Sequence, residues 1–144
     1  MIYKQKIINL MTIFSLMSVG WGCIDGIEVE LWGECYNIEE TTELDLLENG
    51  SFPTGEIPSE IGDLINLTSL SLDSRNLTGS IPSSIGNLVN LTNLEITIYY
   101  SDGGGHQWYF SDLSGDIPSS IGNLVNLTNL EITSSQISGS IPSS

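Results

Sequence analysis

The chain has 144 residues, with eighteen acidic side chains against three basic ones, Lys4, Lys6 and Arg75. All the acidic residues lie beyond Cys23, so the chain that follows residue 22 is strongly negative and repels nucleic acid and anionic membranes. We therefore expect no nucleic-acid partner. The simplest role for this acidity is to keep an extracellular surface soluble, and a weak cation-binding surface is the alternative.

Residues 1–22 have the composition of a secretory signal peptide. Two lysines precede an apolar run from Ile7 to Val19, and small residues follow around positions 20–22. This run is shorter than the roughly 20 apolar residues that a transmembrane helix needs. No second apolar run of that length follows it. We expect a secreted or cell-surface protein whose mature chain has no transmembrane segment.

The two cysteines, Cys23 and Cys35, directly follow the expected signal peptide. An even pair in an exported protein is most simply a disulfide, and closing a loop of this length stabilises a fold by about 3 kcal/mol. The alternative is a bacterial lipid anchor on Cys23. Gly22 permits that modification, but Gly20 stands where Leu or Val is expected, and Cys35 would be left unpaired.

Residues 23–42 form an acidic segment that we interpret as an N-terminal cap. Ile27, Val29 and Leu31 alternate with glutamates, a period-two pattern typical of an edge strand with one buried face. A stack of repeats has an open apolar end, and a stapled segment with a polar outer face is suited to cover it.

Residues 43–144 are repetitive. The seventeen residues Ile81–Thr97 occur again without a change at Ile117–Thr133, which indicates a repeated structural unit. The most regular unit, Leu67–Asn90, has twenty-four residues. The unit before it has two more residues and the unit after it has twelve more, while a fourth unit begins at Leu127 and lacks the closing Ile-Gly-Asn-Leu segment. We expect about four repeats and no C-terminal cap.

The spacing within a unit predicts a short strand followed by a return path. Leu70 and Leu72 are two residues apart, so both side chains point inward from a strand while their neighbours point outward. Further inward contacts are expected from Leu77, Ile81, Ile85 and Leu88. Glycines suit the tight turns, and prolines fix the extended connections after them.

A structural ladder is expected where the chain leaves each strand. Asn76 occupies this position, where a buried amide would satisfy backbone groups that otherwise stay unpaired. Asp112 and Gln136 take the same position in the next two units. Asn-x-Ser/Thr acceptor sequences for glycans also recur in the chain, and they arise from the repeat whether or not they carry a glycan.

The repeat pattern Leu-x-x-Leu-x-Leu-x-x-x-Asn-Leu-Thr-Gly-x-Ile-Pro-x-x-Ile-Gly-x-Leu resembles the plant-type leucine-rich repeat. The segment Trp32–Cys35, which precedes Leu44, resembles the N-terminal cap of that family. The resemblance implies an α/β repeat solenoid, a right-handed coil with a parallel concave β-sheet and short helical or irregular segments on the convex side. It also implies an added short strand near Leu-Thr-Gly, and a receptor-like extracellular role.

An insertion near residues 98–110 interrupts the third unit. Two aromatic runs flank a Gly-rich turn, which is typical of a hairpin. Exposed aromatic rings supply large rigid contact areas, so the insertion is a candidate recognition arm. The alternative is that its rings cover apolar surface of neighbouring coils. The candidate ligand contacts are Tyr99, Tyr100, His106, Trp108 and Tyr109.

The outward positions of the concave sheet form the second candidate contact surface. Four short strands about 4.8 Å apart give a patch of roughly 300 Å², whereas a stable interface needs about 800 Å² per partner. We expect Asp73, Glu95 and Glu131 to contribute without being sufficient for tight recognition. The full set of outward positions is Glu43, Asp45, Ser71, Asp73, Glu95, Thr97, Glu131 and Thr133.

These features favour a non-catalytic binding module for a protein, peptide or glycan. His106 is the sole histidine, and the chain has no nucleophile triad, phosphate loop or metal-spaced cluster, so we expect no enzyme activity, cofactor or metal. A second hypothesis is a structural or adhesin-like repeat that self-associates through the edge bearing Leu127, Leu130, Ile132 and Ile137. Ice binding is a minor alternative that the acidic outward positions disfavour.

Overall fold

The computed structural model describes residues 22–46, 53–97, 112–133 and 136–141. Within these ranges the chain forms one antiparallel hairpin and then successive coils that contribute strands to two four-stranded parallel sheets. A leucine-rich repeat solenoid is thereby confirmed.

The N-terminal hairpin pairs β1 (Glu28–Leu31) with β2 (Glu34–Asn37). Val29 and Leu31 are buried, as their alternation predicts. The expected burial of Ile27 is wrong: it is 51% exposed, because it lies in the turn before β1. The turn between the strands uses Trp32 and Gly33, both at positive φ, as a two-residue hairpin turn requires.

A disulfide joins Cys23 to Cys35 in β2, with 5.4 Å between their Cα atoms. The predicted pairing is confirmed. The alternative of a lipid on Cys23 is unsupported, because the sulfur that would form the lipid thioether is bonded to Cys35.

The concave sheet has the strand order β3-β5-β7-β9. Equivalent positions of the repeats lie side by side, since Leu44 pairs with Leu70, Leu70 with Leu94, and Leu94 with Leu130. The unequal unit lengths therefore leave this register unchanged. The strands are β3 (Glu43–Asp45), β5 (Ser69–Asp73), β7 (Asn93–Thr97) and β9 (Asn129–Ile132).

A second parallel sheet has the order β10-β8-β6-β4 and contains the added strand near Leu-Thr-Gly. Its register is shifted: Thr78 pairs with Asp112, although Ser114 is its equivalent in the repeat. Gly79 and Gly115 are at positive φ, as the predicted tight turns require. The strands are β4 (Gly55–Glu56), β6 (Leu77–Gly79), β8 (Asp112–Asp116) and β10 (Gln136–Ser138).

The helical segments of the described coils are short 3₁₀ turns. Pro58, Pro82 and Pro118 precede three of them in extended conformation, with φ of −61°, −69° and −64° and ψ of 138°, 144° and 136°. The proline ring holds φ in this range. The turns are η1 (Ser59–Asp63), η2 (Ser74–Asn76), η3 (Ser83–Asn87) and η4 (Ser119–Asn123).

The core is a column of aliphatic side chains between the sheets and the 3₁₀ turns. The predicted inward residues Leu77, Ile81, Ile85 and Leu88 are all buried. In the last coil the positions equivalent to Leu67, Leu70, Leu72 and Leu77 are only partly buried, because no further described coil packs on them. These half-buried residues are Leu127, Leu130, Ile132 and Ile137.

Candidate functional site

The aromatic residues of the insertion lie outside the described residues, so their role in recognition stays a prediction. They are Tyr99, Tyr100, His106, Trp108 and Tyr109. Of the other predicted contacts, Asp73 ends β5 opposite Thr97, and Glu95 and Glu131 lie on the concave strands β7 and β9. The described part of the candidate site is therefore the concave sheet.

Four outward positions of the concave sheet form one row across its strands. Asp45 pairs with Ser71, Ser71 with Glu95, and Glu95 with Glu131. Neighbouring members are about 4.8 Å apart along the solenoid, because each comes from the next strand. We call Asp45, Ser71, Glu95 and Glu131 the acidic row.

Two nearly buried hydroxyl residues lie at the middle of this row and beside it. Thr97 is 7% exposed and donates a hydrogen bond from Oγ1 to Oε1 of Glu95, at 3.2 Å. Ser71 is 8% exposed although its neighbours in the strand, Leu70 and Leu72, are the residues that point into the core. A hydroxyl and a carboxylate thus lie side by side on the concave surface.

The row beside it is less charged. It contains Glu43, Ser69, Asn93 and Asn129 in register. The Asn129 side-chain amide donates to Oδ1 of Asn93 at 2.7 Å, so these two polar groups satisfy each other. Within these two rows, charge is therefore concentrated in the acidic row and at Glu43.

The expected burial of the ladder residues is wrong. The side chains of Asn76, Asp112 and Gln136 are all exposed. Asn76 lies at the end of η2, outside the sheet, where its side chain faces solvent; the residue before it, Arg75, is the half-buried one.

The amides that connect the coils are instead those of Asn66, Asn90 and Asn126. Their Nδ2 atoms donate to backbone oxygens of Glu39, Ile65 and Val89 of the preceding segment, at 2.9, 2.9 and 2.8 Å. Sequence reasoning missed this role, although the recurring Asn-Leu-Thr triplet carried the signal.

The threonine of each triplet makes a second connection to the preceding coil. Thr92 donates to the backbone oxygen of Thr68 through both its amide and its hydroxyl, and Thr128 does the same to Thr92. The hydroxyl bonds of Thr68, Thr92 and Thr128 span 26, 24 and 36 residues, which are the three unit lengths. Asn-Leu-Thr is therefore a structural element of the coil, independent of any glycan.

The cap contacts the first coil through its aromatic residues. Trp32 donates from its indole nitrogen to the backbone oxygen of Glu56 at 3.1 Å. The hydroxyl of Tyr36 donates to Glu34 at 3.2 Å. Partial burial, together with the negative charge of Glu34 and this hydrogen bond, raises the pKa of Tyr36 to about 12.

The cavities near the cap and first coils do not form a deep ligand site. A cavity of about 80 Å³ lies between the cap and the first coil, lined in part by Trp32 and Tyr36. That volume is well below the roughly 300 Å³ of a typical small-molecule site. An open, polar groove of about 420 Å³ lies beside Pro58 and Pro82.

Neither a metal cluster nor a membrane-spanning helix lies in the described ranges. No group of three or more His, Cys, Asp or Glu residues in them could hold a metal ion. Among these same residues, no helix has the length and hydrophobicity needed to cross a bilayer.

Comparison with known proteins identifies the repeats. The Leucine Rich Repeat family model matches residues 66–88. The plant peptide hormone receptor RGFR1, in complex with RGF2, superposes with a TM-score of 0.55 and 38% sequence identity over 70% of this chain. The repeats are plant-type leucine-rich repeats. A search of curated protein sequences finds no match.

Two other solved structures are similar over a shorter stretch of this chain. The PEPR1–AtPEP1 structure shares 31% identity over 62% of this chain, with a TM-score of 0.49. The BIR3–SERK2 complex from Arabidopsis thaliana shares 32% identity over 62%, with a TM-score of 0.46. This chain spans 14%, 11% and 42% of the matched chains of RGFR1, PEPR1 and the BIR3–SERK2 complex.

Proposed function

We propose that this leucine-rich repeat chain is an extracellular, non-catalytic module that binds a peptide or an extended protein segment on its concave sheet. Of the ligand classes that the sequence allows, peptide or protein is favoured over glycan by the likeness to RGFR1, a peptide hormone receptor. The single observation that carries the proposal is the register of the acidic row, which aligns polar side chains across four neighbouring strands.

An extracellular location is supported by the disulfide between Cys23 and Cys35. Such bonds persist in oxidising compartments and are rare in the cytosol. The composition of residues 1–22 supports export independently of the disulfide.

The proposal is tested by selecting peptides from a random display library on the immobilised protein. Selected peptides are then measured against Ser69→Trp, which places a large ring on the concave sheet, and against Val89→Trp as the control. Val89 is exposed between η3 and β7, outside the concave strands. We expect Ser69→Trp to abolish binding and Val89→Trp to leave it unchanged, with both variants folded by circular dichroism.

Two results would contradict the proposal. One is that no peptide is enriched above background. The other is that both tryptophan variants bind the selected peptides as the unmodified protein does.

The aromatic insertion remains a second proposed contact, supported by its sequence. Replacing Tyr99, Tyr100, Trp108 and Tyr109 together by alanine should abolish capture of the selected peptides while the thermal unfolding midpoint stays unchanged. If the variant loses its fold instead, the alternative in which these rings cover apolar surface is supported.

Self-association is a second candidate function, favoured by the half-buried residues of the last coil. Leu130 and Ile132 are partly exposed, whereas their equivalents in β7, Leu94 and Ile96, are fully buried. Exposed strand edges and apolar patches promote association. Sedimentation should then show a concentration-dependent species that Ile132→Glu removes, and a strictly monomeric protein would eliminate this candidate.

A further inference from the structure

We propose that Asn76 is a modification site, the acceptor of an asparagine-linked oligosaccharide in the exported protein. Three other Asn-x-Ser/Thr acceptor sequences of the described chain stay unmodified, and they begin at Asn66, Asn90 and Asn126. The remaining acceptor sequence, at Asn49, lies outside the described residues. This inference goes beyond ligand binding and rests only on the export that the proposed function includes.

The amide nitrogen that would carry a glycan is already used in three of the acceptor sequences. Nδ2 of Asn66, Asn90 and Asn126 donates to a backbone oxygen of the preceding segment at 2.9, 2.9 and 2.8 Å. A glycan is attached to this same nitrogen and replaces one of its two protons. The sugar ring would then have to fit within hydrogen-bonding distance of the neighbouring coil. A glycan at these positions therefore competes with the packing of successive coils.

The threonine hydroxyls of the same three sequences are used in the same way. Thr68, Thr92 and Thr128 donate from Oγ1 to a backbone oxygen of the preceding segment at 3.0, 2.9 and 2.9 Å. An acceptor sequence is defined by its asparagine amide and its hydroxyl residue. In these three triplets the coils therefore bind both of the groups that define the sequence.

The triplet Asn76–Thr78 is different in both respects. Asn76 is exposed at the end of η2, and Thr78 is half-buried in β6. Neither side chain makes a hydrogen bond to another described residue. Leu77 lies between them and is fully buried, so it attaches this segment to the core without help from the two polar side chains. The amide of Asn76 is therefore free to carry a substituent.

The surroundings of Asn76 also leave room for a large hydrophilic group. At the equivalent position of the next two units, Asp112 and Gln136 are exposed as well. This position is therefore an outward one in each of the three coils, and a bulky, hydrated oligosaccharide is stable at such a surface. Neither Asp112 nor Gln136 is an asparagine, so among these coils the position provides an acceptor only once.

The transfer needs one co-reactant, an oligosaccharide linked to a lipid diphosphate. Nδ2 of Asn76 forms a bond to the anomeric carbon of the first sugar, and the bond between that carbon and the diphosphate oxygen breaks. The lipid diphosphate leaves, one proton is lost from the amide nitrogen, and nothing is oxidised or reduced. A glycan added before folding must still be accommodated when the coils pack. The folded structure therefore decides which glycosylated chains reach the secreted state.

The test expresses the full chain with Asn49→Gln in a eukaryotic secretory host and analyses the secreted protein. Peptide-N-glycosidase treatment in heavy-oxygen water converts each glycosylated asparagine to a labelled aspartate, which mass spectrometry of the peptides locates. We expect one glycan on the intact protein and the label at Asn76 alone.

Matched variants separate the Asn76 site from the other triplets. Asn76→Gln and Thr78→Ala should each abolish the glycan, the second without removing the asparagine. Asn90→Gln and Asn126→Gln should leave the glycan mass unchanged. Asn76→Gln should also keep the melting temperature of the enzymatically deglycosylated protein, because Asn76 makes no hydrogen bond to another described residue. Peptide mapping of the protein without these variants gives the site assignment even if one of them folds poorly.

The outcomes distinguish this inference from the proposed function. A secreted protein without a glycan at Asn76, or with equal or higher occupancy at Asn66, Asn90 or Asn126, overturns the inference. The proposed function then still stands if library-selected peptides lose binding to Ser69→Trp. A chain that stays in the cytosol without a glycan overturns both the inference and the extracellular location.

Discussion

The 3₁₀ turns and the concave strands use their polar residues in different ways. On the turn side, by which we mean η1, η3, η4 and the Asn-Leu-Thr triplets that follow them, side-chain amides and hydroxyls bind backbone atoms of the preceding coil. On the concave strands, Thr97 binds Glu95 within one strand and Asn129 binds Asn93 across two strands, while Glu131 is exposed. Most of the side-chain hydrogen bonds between described coils therefore lie on the turn side, while Glu131 on the concave side is exposed to solvent.

The largest effect of a single change is expected where consecutive 3₁₀ turns touch. A Cβ atom added at Gly86 would lie 2.5 Å from the backbone oxygen of Ser120, too close for any relaxed structure. Gly86→Ala should destabilise the protein by about 1–3 kcal/mol, as overpacking does. Urea denaturation would measure this, with Asn87→Ala as control because Asn87 is exposed in the same turn. Equal stability of the two variants would contradict the close packing.

A smaller effect is expected from the amide that connects neighbouring coils. Asn90→Ala removes the hydrogen bond to the backbone oxygen of Ile65 and should lower the free energy of unfolding by about 1 kcal/mol. Asn87→Ala again serves as control in the same denaturation experiment. Peptide binding should not change in either variant, since neither side chain lies on the concave sheet. If Asn90→Ala lost peptide binding but kept its stability, the turn side, and not the concave side, would be the binding surface.

The cap should respond to alkaline pH. Since the pKa of Tyr36 in the folded protein is about 12, above its ordinary value near 10, the neutral phenol stabilises the fold fully below pH 10. This contribution is lost as the pH rises from 10 through 12. Tyr36→Phe should flatten that part of the stability profile, measured by denaturation at a series of pH values. If the stability of Tyr36→Phe falls between pH 10 and 12 as steeply as that of the unmodified protein, the Tyr36 phenol is not the source of the pH dependence.

The smallest effect on stability is expected on the concave side. Glu131→Gln should change the free energy of unfolding by less than about 0.5 kcal/mol, as is usual for exposed substitutions, and any change should be a gain at low salt. Thermal unfolding at two salt concentrations would measure it. A clear loss of stability would indicate that Glu131 serves the fold, and the contrast between the two sides would disappear.

The repeat architecture was predictable because its signals are local and recur. Leucines two residues apart define an inward strand face, and the same residues at the same spacing in each unit place Leu70 beside Leu94. The disulfide was predictable because only two cysteines are present. Ile27 was placed wrongly because an alternating pattern does not show where a strand begins.

The polar contacts of the turns were less predictable. Asparagine occurs at several positions of each unit, and composition alone does not distinguish the exposed Asn76 from Asn90, which binds the preceding coil. That distinction depends on which backbone oxygen of the preceding coil lies near the amide, and therefore on the register between coils. The outward positions Glu95 and Glu131 were predicted as contacts, but their direct pairing emerges only from the register of the sheet.

The most direct test of the concave surface as the binding site is an NMR titration of the ¹⁵N-labelled protein with a peptide selected from the display library. We predict that amide signals of Ser71, Glu95 and Glu131 shift progressively, while those of Gly62 and Gly86 in the 3₁₀ turns stay in place. Shifts confined to the turns, or spread evenly over the molecule, would contradict a binding site on the concave sheet.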